Sequence, residues 1–230
     1  MDQKITIYHG STQVIENPTF GLGRKNNDFG LGFYCTESND LAKEWAVSSL
    51  NDGFSNRYTL SMDHMKILKL NSPDYTILNW MAVLVEHRLF SLKTPVARRA
   101  RQYLIDHFGI NVNAYDLVIG YRADDSYFDY AESFLNNTIT LEQLSRAMRL
   151  GKLGEQVVLK SKYAFTQIRF EGFETADKDL FYVLRKARDS KANRQYLDIL
   201  EEETDGLYIQ DIIRGGILNG DPRISGNLPG

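Results

Sequence analysis

Apolar and polar residues alternate with period two over Ile5-Thr6-Ile7-Tyr8, which predicts a strand ending at His9-Gly10-Ser11. Pro18 and glycines 21, 23, 30 and 32 mark residues 17 to 33 as a loop. The loop leads into a short aromatic strand, Gly32-Phe33-Tyr34-Cys35-Thr36. Ser38-Asn39-Asp40 offers caps for a helix whose Leu41, Trp45 and Leu50 share one face. Arg57-Tyr58-Thr59-Leu60 and Lys66-Ile67-Leu68-Lys69-Leu70 alternate again and are expected to pair as strands. Apolar positions then recur every three to four residues, predicting helices over 76–90 and 95–108. Residues 116–121 read as a buried strand, and 126–135 and 140–150 as two short helices. Thr140 with Gln143 makes a capping box for the second. A strand over 155–160 follows Gly151 and Gly154, and 167–170 is a last core strand. Beyond Gly172 the chain becomes helical and charged over 176–203, has a further helix at 206–214, and ends in a Gly/Pro/Asn-rich tail expected to be loose.

Strands and helices mix without regular βαβ alternation, so the pattern predicts an α+β fold rather than a doubly wound sheet. The 230 residues suit one domain with an appendage: a core over 1–172 and a helical extension over 173–230. Lys and Arg total 27 against 30 Asp and Glu, a net charge of −3, which is not the footprint of a dedicated nucleic-acid binder. A single cysteine, Cys35, forms no internal disulfide or cysteine-rich metal site. The first residues lack a signal-peptide pattern and no apolar run reaches ~20 residues, so a cytoplasmic location without membrane partners is expected. The 13 Tyr, 12 Phe and 2 Trp suit a sheet-rich core or a stacking site.

The common catalytic signatures are absent. No P-loop, GxGxxG, HExxH or GxSxG occurs, and the four histidines lack metal-ligand spacing, so no metal is expected. One ordered constellation stands out. His9-Gly10-Ser11 closes the first strand, Tyr34 sits in Asp28-Phe29-Gly30-Leu31-Gly32-Phe33-Tyr34-Cys35-Thr36, Trp45 follows in Ala42-Lys43-Glu44-Trp45-Ala46, and Glu155-Gln156 opens a late strand. The set resembles the diphtheria-toxin-like and poly(ADP-ribose) polymerase-like branch of ADP-ribosyltransferases. It looks most like a bacterial family of uncharacterised ADP-ribosyltransferase-like domains, a likeness that also takes in Ala123-Asp124-Asp125 and covers roughly residues 4 to 172.

That resemblance implies a split β-sheet core with flanking helices and NAD as the substrate. By it, His9 anchors the distal ribose, Gly10 holds the carboxamide, and Tyr34 with Trp45 clamps nicotinamide. Gln156 or Glu155 steadies the ribosyl cation. It further implies mono-ADP-ribosyl transfer or NAD cleavage, an acceptor that is a protein or nucleic acid, and a toxin or phage-defence role with an antitoxin partner.

The residue types suit this chemistry on their own account. Aromatic faces hold a flat ring away from water. A glycine lets a ligand approach the main chain closely. A neutral His and Ser11 can hydrogen-bond without adding charge. Arg24, with Lys25, is a candidate to meet a pyrophosphate, and Arg122, with Asp124 and Asp125, is a candidate either to position substrate or to form a buried charge network. Strand alternation sends Glu155 and Gln156 to opposite faces, so one of them serves the pocket, with Gln156 preferred. A glutamine is no base. This disfavours chain elongation and keeps open a catalytically degenerate module that binds NAD or ADP-ribose. Ala42 replaces a serine of the polymerase pattern, removing one nicotinamide contact.

Overall fold

The computed structural model describes residues 3–123, 125–150, 154–202 and 205–224, the side chains of residues 125 and 126 aside. The fold is α+β. The strands are β1 (Lys4–Ser11), β2 (Phe33–Cys35), β3 (Gly53–Ser61), β4 (Ile67–Lys69), β5 (Leu117–Tyr121), β6 (Glu155–Leu159) and β7 (Ile168–Ala176). The helices are α1 (Asn39–Ala46), α2 (Ile77–His87), α3 (Pro95–Phe108), α4 (Asp125–Leu135), α5 (Leu141–Ala147), α6 (Lys162–Thr166), α7 (Lys178–Glu201) and α8 (Ile209–Arg214).

The strands form two sheets. One is antiparallel with order β1-β3-β7, and the other has order β2-β6-β5-β4. In the second sheet only β4 and β5 run parallel. Ile7, Tyr58 and Leu60 of the first sheet meet Leu117, Ile119, Val157 and Leu159 of the second in a buried interlayer. Alternate residues Val118 and Val158 point the other way, into a core shared with α2 to α5. This period-two division follows from the pleat and explains why β5 and β6 are apolar on both faces.

Among the described residues a single bridge joins the two sheets: Tyr8 and Thr36 exchange backbone bonds of 2.7 and 2.9 Å. Beyond it the strands part. Continuing the antiparallel register would set Gly10 opposite Tyr34, but they do not pair. The amide and carbonyl of Gly10 therefore face the split between the sheets, on the side where Tyr8 is bonded.

The caps expected at Ser38 and Thr140 are formed, the second as a full capping box with Gln143. Other expectations are corrected. Segments 57–60 and 66–70 do not pair, because β3 has both edges taken by β1 and β7 while β4 aligns with β5. The connection turns at Met62–Met65, with His64 at φ 60°. The helix expected to reach Leu50 stops at Ala46, leaving Leu50 exposed. The last strand runs through position 172 to Ala176, with Gly172 at φ 137°, so the expected boundary at 172 falls inside β7. The tail is packed as far as Ile224: Ile217 and Ile224 are buried, and the Tyr103 hydroxyl donates to the Ile217 carbonyl at 3.0 Å.

Candidate functional site

A polar cavity of about 630 Å3 opens where the second sheet, α1 and α7 converge. That size lies in the range of about 300–1,000 Å3 usual for ligand sites. Tyr34 comes from β2, Trp45 from α1, Gln156 from β6, and Arg24 and Arg122 from loops. Five residues singled out in the sequence are thus brought together although they span positions 24 to 156.

Gln156 is buried and held from one end. Its Nε2 donates to Asp28 Oδ2 at 2.7 Å and to the Tyr121 carbonyl at 3.3 Å. Both partners accept, which fixes the amide orientation and leaves Oε1 as the acceptor end. Glu155 takes the opposite face of β6, where Asn71 Nδ2 donates to its carboxylate. Gln156 is therefore the member of the pair that lines the cavity.

Asp28 was not singled out by the sequence except as part of a motif. It is buried and accepts from the Ala123 amide at 2.9 Å as well as from Gln156. Arg88 Nε lies 3.6 Å from its Oδ1. Burial pushes the Asp28 carboxyl above its usual range, against the pull of the Ala123 amide, Arg88, Gln156 and Arg122.

The Tyr34 hydroxyl is tied into the preceding loop. It donates to the Gly30 carbonyl at 2.6 Å and accepts from the Phe29 amide at 3.0 Å. Burial raises its pKa far out of the physiological range, so Tyr34 acts as a neutral ring and not as a base. Lys160 Nζ fixes the same loop from beneath by donating to the Phe29 and Leu31 carbonyls, each at 2.6 Å. Burial brings this ammonium down to about 8.

Trp45 carries the Arg122 guanidinium over its ring at 4.1 Å, a cation–π stack. Its indole Nε1 is buried without an acceptor. Asp124 lies outside the described residues, as does the side chain of Asp125, so that part of the expected cluster receives no placement.

The His9-Gly10-Ser11 side of the constellation does not line the cavity. The His9 ring stacks on Phe33 at 4.3 Å and its Nδ1 lies 2.7 Å from the Tyr34 carbonyl. A carbonyl only accepts, so Nδ1 carries the proton. Burial lowers the His9 pKa more than this bond raises it, and the ring is neutral at pH 7. A Cβ on Gly10 would stand 2.0 Å from the Ala42 carbonyl oxygen, so glycine is needed for α1 to rest on β1. The Ser11 hydroxyl is spent on a local turn with Gln13. Asn56, which sequence reasoning passed over, pins this corner. It donates to the His9 and Gln13 carbonyls at 3.1 and 3.2 Å and accepts from the Ile15 amide at 2.9 Å.

The far wall belongs to α7, which contributes Arg185, Lys186, Arg188, Asp189 and Asn193. None of these was singled out in the sequence, where the segment reads only as helical and charged. Arg188 pairs with Glu44 at 2.5 Å, and Arg185 donates to the Glu44 and Val47 carbonyls at the end of α1. Cations at a helix C-terminus complement its dipole. Among the described residues, no three His, Cys, Asp or Glu are grouped to hold a metal ion, and no helix is long and apolar enough to cross a membrane.

The fold and site define an α+β protein with a cationic, aromatic-walled cleft between a sheet and a C-terminal helix. The chain belongs to the family described as "Protein of unknown function (DUF3990)", whose model matches residues 5–170. No curated protein and no solved structure matches it.

Proposed function

We propose that the cavity binds NAD and that the protein is an NAD-cleaving enzyme, a mono-ADP-ribosyltransferase or NAD hydrolase with an ADP-ribosyltransferase-like split sheet. The observation that carries this reading is the convergence of Tyr34, Trp45 and Gln156 from three separate elements on one cavity. Each belongs to a different motif of the sequence resemblance. Trp45 already stacks a planar cation, the Arg122 guanidinium, and the nicotinamide ring of NAD is likewise a planar cation. Gly10 does not line the cavity, so the reading rests on Tyr34, Trp45 and Gln156 and not on the first motif. His9 is a positioning residue in this scheme, acting through the Tyr34 carbonyl.

In the reaction, the bond between nicotinamide nitrogen and ribose C1′ breaks. Its electron pair leaves with nicotinamide and neutralises that ring. The ribosyl cation left behind is stabilised when Gln156 Oε1 accepts from a ribose hydroxyl. Water or an acceptor hydroxyl then adds at C1′ and releases its proton to solvent. A second reading, a pocket that holds NAD without turnover, is favoured by one feature: position 156 is an amide, and the carboxylate beside it, Asp28, is engaged by Ala123 and Arg88. The test is a time course of nicotinamide release from NAD by wild type and Gln156→Ala. Release that falls at least tenfold in the variant supports the enzyme. Bound but intact NAD supports the second reading, and absence of both binding and release removes both.

A further inference from the structure

The cavity has an electrical asymmetry that Tyr34, Trp45 and Gln156 leave unexplained. Among the described residues, six cations line it, Arg24, Arg88, Arg122, Arg185, Lys186 and Arg188, against the carboxylates of Asp28, Asp129 and Asp189. Half of those cations come from α7, which lies beyond the stretch matched by the family model. A surplus of cationic side chains on one cavity suits a ligand rich in anionic oxygens.

The α7 wall is also held in place. Arg188 uses its terminal nitrogen on Glu44, and Arg185 uses one of its own on the carbonyls that end α1. Each guanidinium thus has a fixed position with donors to spare, the arrangement in which arginine binds phosphate best. Lys186 sits between them in sequence and is exposed at the mouth, its Nζ 5.8 Å from the Tyr182 ring centre and in no ion pair among the described residues.

We propose that α7 is the phosphate-binding wall of this site and that the ligand carries a nucleoside diphosphate group. Arg185, Lys186 and Arg188 hold the diphosphate opposite the Tyr34–Trp45 wall. The helical extension is then a working part of the cavity and not an appendage. The proposal deepens the NAD reading and rests on it for the orientation of the ligand, while the diphosphate contact itself is separately measurable.

Calorimetric titration of the full chain with ADP and with NAD, at two salt concentrations, tests it. Lys186→Gln is chosen because the side chain is exposed and its loss leaves the fold intact. Lys191→Gln, five residues further along α7 and outside the cavity lining, controls for net charge. The expected result is that Lys186→Gln weakens ADP and NAD about five- to tenfold and flattens their salt dependence, with Lys191→Gln near wild type. Wild type that does not bind ADP, or equal affinities in all three proteins, overturns the proposal. If NAD binding is abolished by Trp45→Ala yet unmoved by Lys186→Gln, the proposal fails and the NAD reading stands. If ADP binds in a Lys186-dependent way and NAD is neither bound nor cleaved, the proposal stands and the NAD reading fails.

Discussion

Gln156 and Asp28, 128 positions apart in sequence, meet through a 2.7 Å hydrogen bond in which the amide donates and the carboxylate accepts. The bond gives the glutamine a reason of its own. A glutamate at 156 would face a buried carboxylate that already accepts from the Ala123 amide. Two carboxyls at that distance cannot both ionise and must share a proton.

Gln156→Glu therefore tests the partnership. The shared pair would have a folded-state pKa raised above the unfolded value. Stability is then near wild type at pH 4 and is lost as pH rises through the raised pKa, by about 2–4 kcal/mol at pH 8. Urea unfolding of variant and wild type at the two pH values measures it. A constant difference across pH would show that Asp28 and residue 156 are not coupled.

Lys160→Met addresses the buried ammonium beneath the Tyr34 loop. Folded Lys160 releases its proton at about 8, whereas the unfolded group keeps it to about 10.5. Between those values the unfolded chain binds more protons, so this residue makes wild type more stable as pH rises. The melting temperature of wild type relative to the methionine variant should climb from pH 7.5 to 10. Parallel curves would mean that the ammonium is not desolvated.

Gly10→Ala separates packing from binding at the first motif. The added methyl would sit 2.0 Å from the Ala42 carbonyl oxygen, so α1 must move. A loss of about 1–3 kcal/mol in unfolding free energy is expected. An alanine variant as stable as wild type would refute the close approach of α1 to β1.

His9 should be observable as a neutral imidazole with the proton on Nδ1. Nitrogen–proton correlation NMR should show that tautomer at pH 7 and a titration midpoint below the ordinary 6.5. A midpoint above 7, or an Nε2-protonated ring, contradicts the bond to the Tyr34 carbonyl.

Local signals in the sequence were strong where local physics decides. The period-two run of β1, the caps of α1 and α5, and the apolar spacing of α2 and α3 each led to the element observed. Pairing was harder to read. Neighbouring segments 57–60 and 66–70 suggest a hairpin, and only long-range partners place β3 and β4 in different sheets. The candidate site was legible on its aromatic wall and at Gln156, because ordered motifs named those residues. Its α7 wall was not. Arg185 and Arg188 belong to a helix with Leu180, Val183, Leu184, Leu197 and Leu200 all exposed, so no apolar stripe announced which face turns inward. Asp28 was visible only as a letter in a glycine-flanked motif, and its burial depends on Arg88 and Gln156 arriving from elsewhere.

In the proposed function NAD occupies the cavity with nicotinamide against Trp45. Calorimetric titration of NAD into wild type and Trp45→Ala tests it most directly, with melting temperatures recorded alongside. Micromolar binding by wild type and an affinity at least tenfold lower in a variant that stays folded are expected, matching the loss of about 1.4 kcal/mol or more of stacking. Wild type that does not bind NAD, or a folded Trp45→Ala protein that binds it equally well, would show that nicotinamide does not stack on Trp45 in this cavity.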